Sequence, residues 1–363
     1  MRKVLYALGV VALFAGGCSQ ERFVPSSNEN NPEDLSAGQI HLSTAGDVVV
    51  ANRGSGSISV IDHQTHEVET YMLPAEEGEP IPEPMYVVYV GRTQRVFVGD
   101  RANDRVAVFE AGSYDVVGTV PAGEGVFHMW ADPQGRQLWV NNDIENTTTV
   151  IDPMSLQVIT TVPTPADLVE MGGKPHDVIV GPHGRLAYVS VLGVSGDDDY
   201  IVQYDMGTYQ ETGRAPVGKD PHVSLAFQHD YLFVPCQNSN VVVVLDRFSM
   251  EEEARIDVPG AHGAWHARDG RKFYTANLPG GGSEALFTID TEDFTVVGDG
   301  VDAPYAVPHN IVTNSADTKL FLSHSGASSD KVTIFSIDGS DGRPMYLDEV
   351  TVGLNPFGIA FAG

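Results

Sequence analysis

Lys174-Pro175-His176-Asp177-Val178-Ile179-Val180-Gly181-Pro182-His183-Gly184-Arg185-Leu186-Ala187-Tyr188-Val189 reads as a strand, a tight turn at Pro182 to Gly184, and a second strand. The outline returns every 40 to 48 residues. Pro221-His222 leads to Tyr231-Leu232-Phe233-Val234, Ala261-His262 to Lys272-Phe273-Tyr274, and Pro308-His309 to Lys319-Leu320-Phe321-Leu322. Pro84-Met85 leads to Arg95-Val96-Phe97-Val98, and Val126-Phe127-His128 to Leu138-Trp139-Val140. A period of this size in a strand-rich sequence marks one supersecondary unit copied around an axis.

Six copies, at 84–122, 125–163, 173–218, 220–259, 260–298 and 308–353, each carry four strand patterns. A seventh begins near Ile40 with only three, at Val48-Val49-Val50, Ser57-Ile58-Ser59-Val60-Ile61 and Val68-Glu69-Thr70-Tyr71. The chain ends in Asn355-Pro356-Phe357-Gly358-Ile359-Ala360-Phe361, an innermost-type strand with nothing after it to pair with. Giving that strand to the first copy predicts an all-β, seven-bladed β-propeller over 39–363. The C-terminal strand would close the ring, leaving no open sheet edge. A two-sheet sandwich accounts for neither the copied motif nor the leftover strand. The pattern demands no helix.

Ahead of this body, Arg2 and Lys3 precede the apolar run Val4 to Phe14, which is too short to span a bilayer as a folded helix. Ala15-Gly16-Gly17-Cys18 resembles a bacterial lipobox. That resemblance implies a signal peptide over 1–17 and lipidation of Cys18, with the outer membrane favoured within the cell envelope. Residues 18–38 are rich in Ser, Asn, Glu and Pro and read as a flexible tether. Removing 1–17 takes away Arg2 and Lys3 and moves the formal net charge from -28 to -30. Such an excess argues against nucleic-acid binding, and membrane contact is expected through the Cys18 anchor alone. With Cys18 acylated, Cys236 is the only other thiol, so no intrachain disulfide can form. A monomer is expected, with a propeller face open to a protein partner.

Pro-His, four alternating residues, a Pro/Asp-Gly-Arg turn and Tyr-Val-x-Asn recur at 175–189, 135–142 and 270–277. This pattern resembles the YVTN-type seven-bladed propellers. It is similar at a distance to the propeller of nitrous-oxide reductase, where histidines of successive blades surround a copper cluster. It is also similar to the lactonases of sugar-acid metabolism, whose inner strands open with Pro-x-His-like sequences. The resemblance implies the fold and leaves function open among binding proteins, lactonases and redox enzymes.

The copied position after Pro would bring Met85, His176, His222, His262 and His309 into one ring at a mouth of the central channel, with Phe357 at the seventh place. His128 follows one residue late. Second-strand ends would add Asn52, Asp100, Asn142, Cys236, Asn277 and His324 at the same level. Imidazoles with a thioether and a thiol form a ligand set suited to copper and, less well, to zinc. Against this stands a purely structural role, each imidazole bonding a neighbouring blade's backbone. His63, His66, His183 and His229 read as surface residues. Asp177 beside the ring, with Asp100 facing it, would permit general-base hydrolysis. Haem-attachment, nucleophile-elbow and His-Glu-x-x-His motifs are absent, so binding rather than catalysis is expected. The leading expectation is an envelope-anchored binding module holding copper or another transition metal. The alternatives are a metal-free interaction scaffold and a lactonase-like hydrolase.

Overall fold

A run such as Val241-Val242-Val243-Val244-Leu245 is apolar on both faces, as a strand must be when it is packed on two sides. Val241, Val243 and Leu245 join one apolar layer, and Val242 and Val244 join the next. This is the two-residue period of a strand seen in the packing. The computed structural model describes residues 46–225, 228–337, 339 and 341–363. The segments 1–17 and 18–38, Cys18 included, lie outside the described residues.

The strands form seven four-stranded antiparallel sheets. In sequence order the inner strands of blades 2 to 7 are Pro84–Val90, Val126–Ala131, Lys174–Val180, Ser224–Leu225, Ala261–His266 and Pro308–Thr313. Blade 1 pairs Asp47–Asn52 with the terminal strand Pro356–Ala362, in the register Val48↔Phe361 and Val50↔Ile359. That strand packs on the inner strands of blades 2 and 7, closing the ring as expected. Each pair of neighbouring blades shares one apolar layer. Among the described residues there is one α-helix, Ala166–Glu170, which the pattern did not demand; it follows Pro165 and buries Leu168 between blades 3 and 4.

The copied motif is largely structural. Tyr188 and Tyr274 donate their hydroxyls to backbone carbonyls of the following blade, at Arg247 (2.8 Å) and Gly342 (3.0 Å). The second-strand Asn residues bond within their own blade: Asn52 Nδ2 to Ser59 Oγ at 2.9 Å, and Asn142 Nδ2 to Thr149 Oγ1 at 2.9 Å. The Asp closing a third strand caps the next turn. Asp205 Oδ1, for instance, accepts from Gly207 N and Thr208 N.

The inner strands of blades 1, 2, 3, 4, 6 and 7 carry a one-residue bulge just after their first residue. Pro175 pairs Val191 and Val178 pairs Val189, for example, so His176 and Asp177 sit where one residue would fit. A bulge re-aims side chains. In blades 3 and 4 it presents two consecutive side chains, Phe127 with His128 and His176 with Asp177, to the channel mouth.

Candidate metal centre

The first bulge position contributes Phe127, His176, His262, His309 and Phe357, and the residue after Pro221 in the unbulged blade 5 contributes His222; their rings touch in sequence around the channel. Centroid separations are 5.0 Å for Phe127–His176, 4.7 Å for His176–His222, 3.9 Å for His222–His262, 4.7 Å for His262–His309 and 4.1 Å for His309–Phe357. Blade 2 behaves differently. Met85 is fully buried, and Tyr86 is the side chain that meets Phe127, Phe357 and His128, stacking on the last at 3.6 Å.

His128, at the second bulge position, joins the cluster from just beyond the ring. Its Nδ1 lies 2.8 Å from Asp177 Oδ1, while Asp177 Oδ2 lies 3.5 Å from His222 Nδ1. Asp177 also accepts from Val178 N at 2.7 Å and Val223 N at 3.0 Å. One carboxylate therefore orients two imidazoles by their Nδ1 atoms and leaves their Nε2 atoms facing inward. His176 Nε2 and His222 Nε2 are 3.3 Å apart, and one ligand atom from each of His128, His176 and His222 lies within 4.8 Å of the others. His128 Nε2 is buried without a hydrogen-bond partner among the described residues, as are both ring nitrogens of His262. For M–N bonds of about 2.0–2.1 Å in a tetrahedral site, ligand nitrogens sit roughly 3.3–3.4 Å apart. A small inward movement of these rings reaches that spacing.

Burial governs the protonation of the cluster. It pushes His128 below the ordinary imidazole range, with Asp177 opposing, and it pushes His176, His262 and His309 well below, assisted by neighbouring imidazoles. Burial would raise Asp177, but the pairing with His128 and His222 outweighs it and holds the carboxyl well below its usual range. His128, His176, His262 and His309 are thus held in the neutral form, the one in which imidazole binds metal. At the rim, Arg53 and Arg101 lie over the Phe357 and Phe127 rings at 5.4 and 5.5 Å, each also paired with an acid, Glu83 and Asp143.

Of the residues expected here, His128, His176, His222, His262 and His309 are brought together. His324 and Cys236 are not. The His324 ring nitrogens meet Ala306 O at 3.1 Å and Thr333 Oγ1 at 2.8 Å. Cys236 lies in the apolar layer between blades 4 and 5, where burial pushes its thiol up to about 12. The end of a second strand faces its own blade or the inter-blade layer, and the expectation treated it as a channel position. Asp100 pairs with Arg105 rather than facing Asp177. His63 is buried, with Nδ1 2.7 Å from Gly46 O and its ring edge-on to Phe361. The sequence reading missed Tyr86 and Asn310, because the Pro-His repeat draws attention to the first bulge position only.

The sequence profile of the family "Lactonase, 7-bladed beta-propeller" matches residues 27–253, more than half of the chain. The chain belongs to this family. No curated protein matches this lactonase-family propeller significantly. Among solved structures it is similar to the periplasmic gluconolactonase PpgL of Pseudomonas aeruginosa, with 16% identity, TM-score 0.67, and 88% of this chain and 99% of that chain covered. A putative 6-phosphogluconolactonase of Bacteroides uniformis gives 16% identity, TM-score 0.67 and coverage of 87% and 99%. Hydrazine synthase of Kuenenia stuttgartiensis gives 16% identity, TM-score 0.62 and coverage of 78% and 91%. At such identities the likeness is one of fold.

Proposed function

We propose that this lactonase-family propeller binds a transition-metal ion, copper first, at the channel mouth through His128, His176 and His222, with Asp177 orienting two of the three imidazoles. The observation that carries this reading is the buried, unpartnered Nε2 of His128, held by Asp177 so that its lone pair faces the other two rings. A buried polar atom without a partner is costly unless a ligand meets it. Three imidazoles, two of them oriented by a carboxylate, suit Cu and Zn. Anchoring at Cys18 in the cell envelope belongs to the same proposal and rests on the lipobox-like Ala15-Gly16-Gly17-Cys18.

The test is to load metal-stripped protein with Cu(I), Cu(II) or Zn(II), then read bound metal per chain and melting temperature. Wild type is expected to hold one ion and melt higher, and a His128→Ala/His222→Ala double variant to do neither. Equal retention by both proteins sinks the proposal and leaves the scaffold reading standing. Family membership favours a second reading, lactone opening with Asp177 and His128 as the basic pair. That reading expects turnover of glucono-δ-lactone above the uncatalysed rate, abolished by Asp177→Asn.

A further inference from the structure

The two sides of the histidine cluster carry their ring protons on opposite nitrogens. On one side Asp177 faces Nδ1 of His128 at 2.8 Å and Nδ1 of His222 at 3.5 Å, which puts the protons there and leaves lone pairs on Nε2. On the other side Asn310 fixes His309. Its Nδ2 lies 3.1 Å from Phe357 O and 3.0 Å from His309 Nδ1. A backbone carbonyl can only accept, so the group against Phe357 O is the amide NH₂, and its second hydrogen serves His309 Nδ1. Nδ1 therefore keeps the lone pair, and the ring proton of His309 sits on Nε2.

His309 Nε2 meets no hydrogen-bond partner among the described residues, yet it is not sealed off as both ring nitrogens of His262 are. The six rings close on one another, with Phe357 and Phe127 6.2 Å apart, and this places His309 across the ring from His176. Beneath them lies a chamber of about 60 Å³ bordered by His128, Asp177, His222 and Asn310. That is room for a few heavy atoms, since one water needs roughly 10–15 Å³. It is far below the roughly 300–1,000 Å³ of sites for larger molecules.

We infer that the mouth takes a small inorganic anion, held at one end by the ion on His128, His176 and His222 and at the other by a hydrogen bond from His309 Nε2–H. The inference rests on the metal reading above. Three imidazoles leave a coordination position open for an added ligand. A divalent ion beside the single carboxylate of Asp177 leaves net positive charge, which an anion offsets and a neutral molecule does not. His309 is then a donor to that anion and not a ligand of the ion, because its free nitrogen carries the proton.

The full chain is loaded with Cu(II), its copper content measured, and azide titrated in, followed by the charge-transfer absorption that azide gains on Cu(II). Nitrogen NMR of the metal-free protein reads the His309 tautomer. Wild type is expected to show the proton on His309 Nε2 and saturable azide binding. His309→Phe, which keeps a ring between His262 and Phe357, is expected to hold copper as wild type does. It should bind azide about tenfold or more weakly, the worth of one hydrogen bond to a charged group. Should His309→Phe fail to fold, Asn310→Asp decides. Its carboxylate accepts from Nδ1–H, so the tautomer is expected to switch and azide binding to fall likewise. No saturable azide binding, a wild-type proton on Nδ1, copper lost with His309→Phe, or unchanged azide affinity or tautomer in the deciding Asn310→Asp overturns this inference alone, as does unchanged azide affinity in His309→Phe. Wild type that holds no copper overturns the metal reading and this inference with it.

Discussion

Asp177 bears most on the candidate centre, because it fixes tautomers as well as positions. Its carboxylate accepts from His128 Nδ1 and from the backbone of Val178 and Val223. While Nδ1 of His128 donates, Nε2 must carry the lone pair. Asp177→Asn keeps the shape but turns an amide N–H₂ toward one of these donors. The imidazole then shifts its proton to Nε2, and the lone pair aimed into the cluster is lost. Losing a carboxylate that orients a ligating imidazole costs about 10–100-fold in metal affinity. We expect a loss in that range for copper, measured by competition with a chelator, and a changed His128 tautomer by nitrogen NMR. Unchanged copper affinity in a folded Asp177→Asn protein would show that the carboxylate does not position the ligands.

At the scale of elements, the bulged inner strand was only half legible. The Pro-His repeat marked where each strand begins, and its recurrence located His176, His222, His262 and His309 correctly. A bulge, however, is a property of register between two strands, and no single strand's sequence declares it. Of the second presented residues, Tyr86 and Asn310 thus passed as ordinary alternation, while His128 stood out only as a histidine one residue out of step and Asp177 only as a carboxylate beside the ring. The same register explains the glycines at this second position. A Cβ on Gly263 would lie 2.1 Å from the His309 carbonyl oxygen, and one on Gly358 would lie 2.5 Å from the Tyr86 Cα. Neighbouring backbones approach too closely for any side chain. Gly263→Ala is expected to destabilise the fold by about 3 kcal/mol or more, at the upper end of overpacking costs. Gly118, on an outer strand with open space around its Cα, is the contrast. Gly118→Ala should stay within about 0.5 kcal/mol. Denaturant unfolding compares the two, and equal midpoints would refute the close-approach argument.

For the whole molecule, the seven-fold copying and the borrowed terminal strand were legible because both follow from counting strands. Phe357 lies in the His ring, at the seventh place the copied position implies, and Phe361 of the same strand packs against the edge-on ring of His63. Rotation about the axis, which sequence alone does not display, gathers many buried imidazoles along one channel, and this makes the metal-free protein sensitive to acid. An unfolded His titrates near about 6.5. In the folded state burial pushes His128, His176, His262 and His309 below this, His266 to about 3, and His324 to about 4. Above the unfolded value both states are neutral, and these groups add no pH dependence. Below it the unfolded chain binds more protons, so stability falls as pH falls, by up to about 1.4 kcal/mol per pH unit for each such group. Asp177, with its lowered value, acts in the same direction only nearer about 4. The acid limb should therefore begin near pH 6.5, while the carboxylates are still ionised. Melting temperatures of chelator-stripped protein are expected to be flat from pH 8 to 7 and to fall steadily from 6.5 to 5. A melting temperature constant or rising over that lower range would mean that the imidazoles already carry protons in the folded state, and the neutral cluster described here would be wrong.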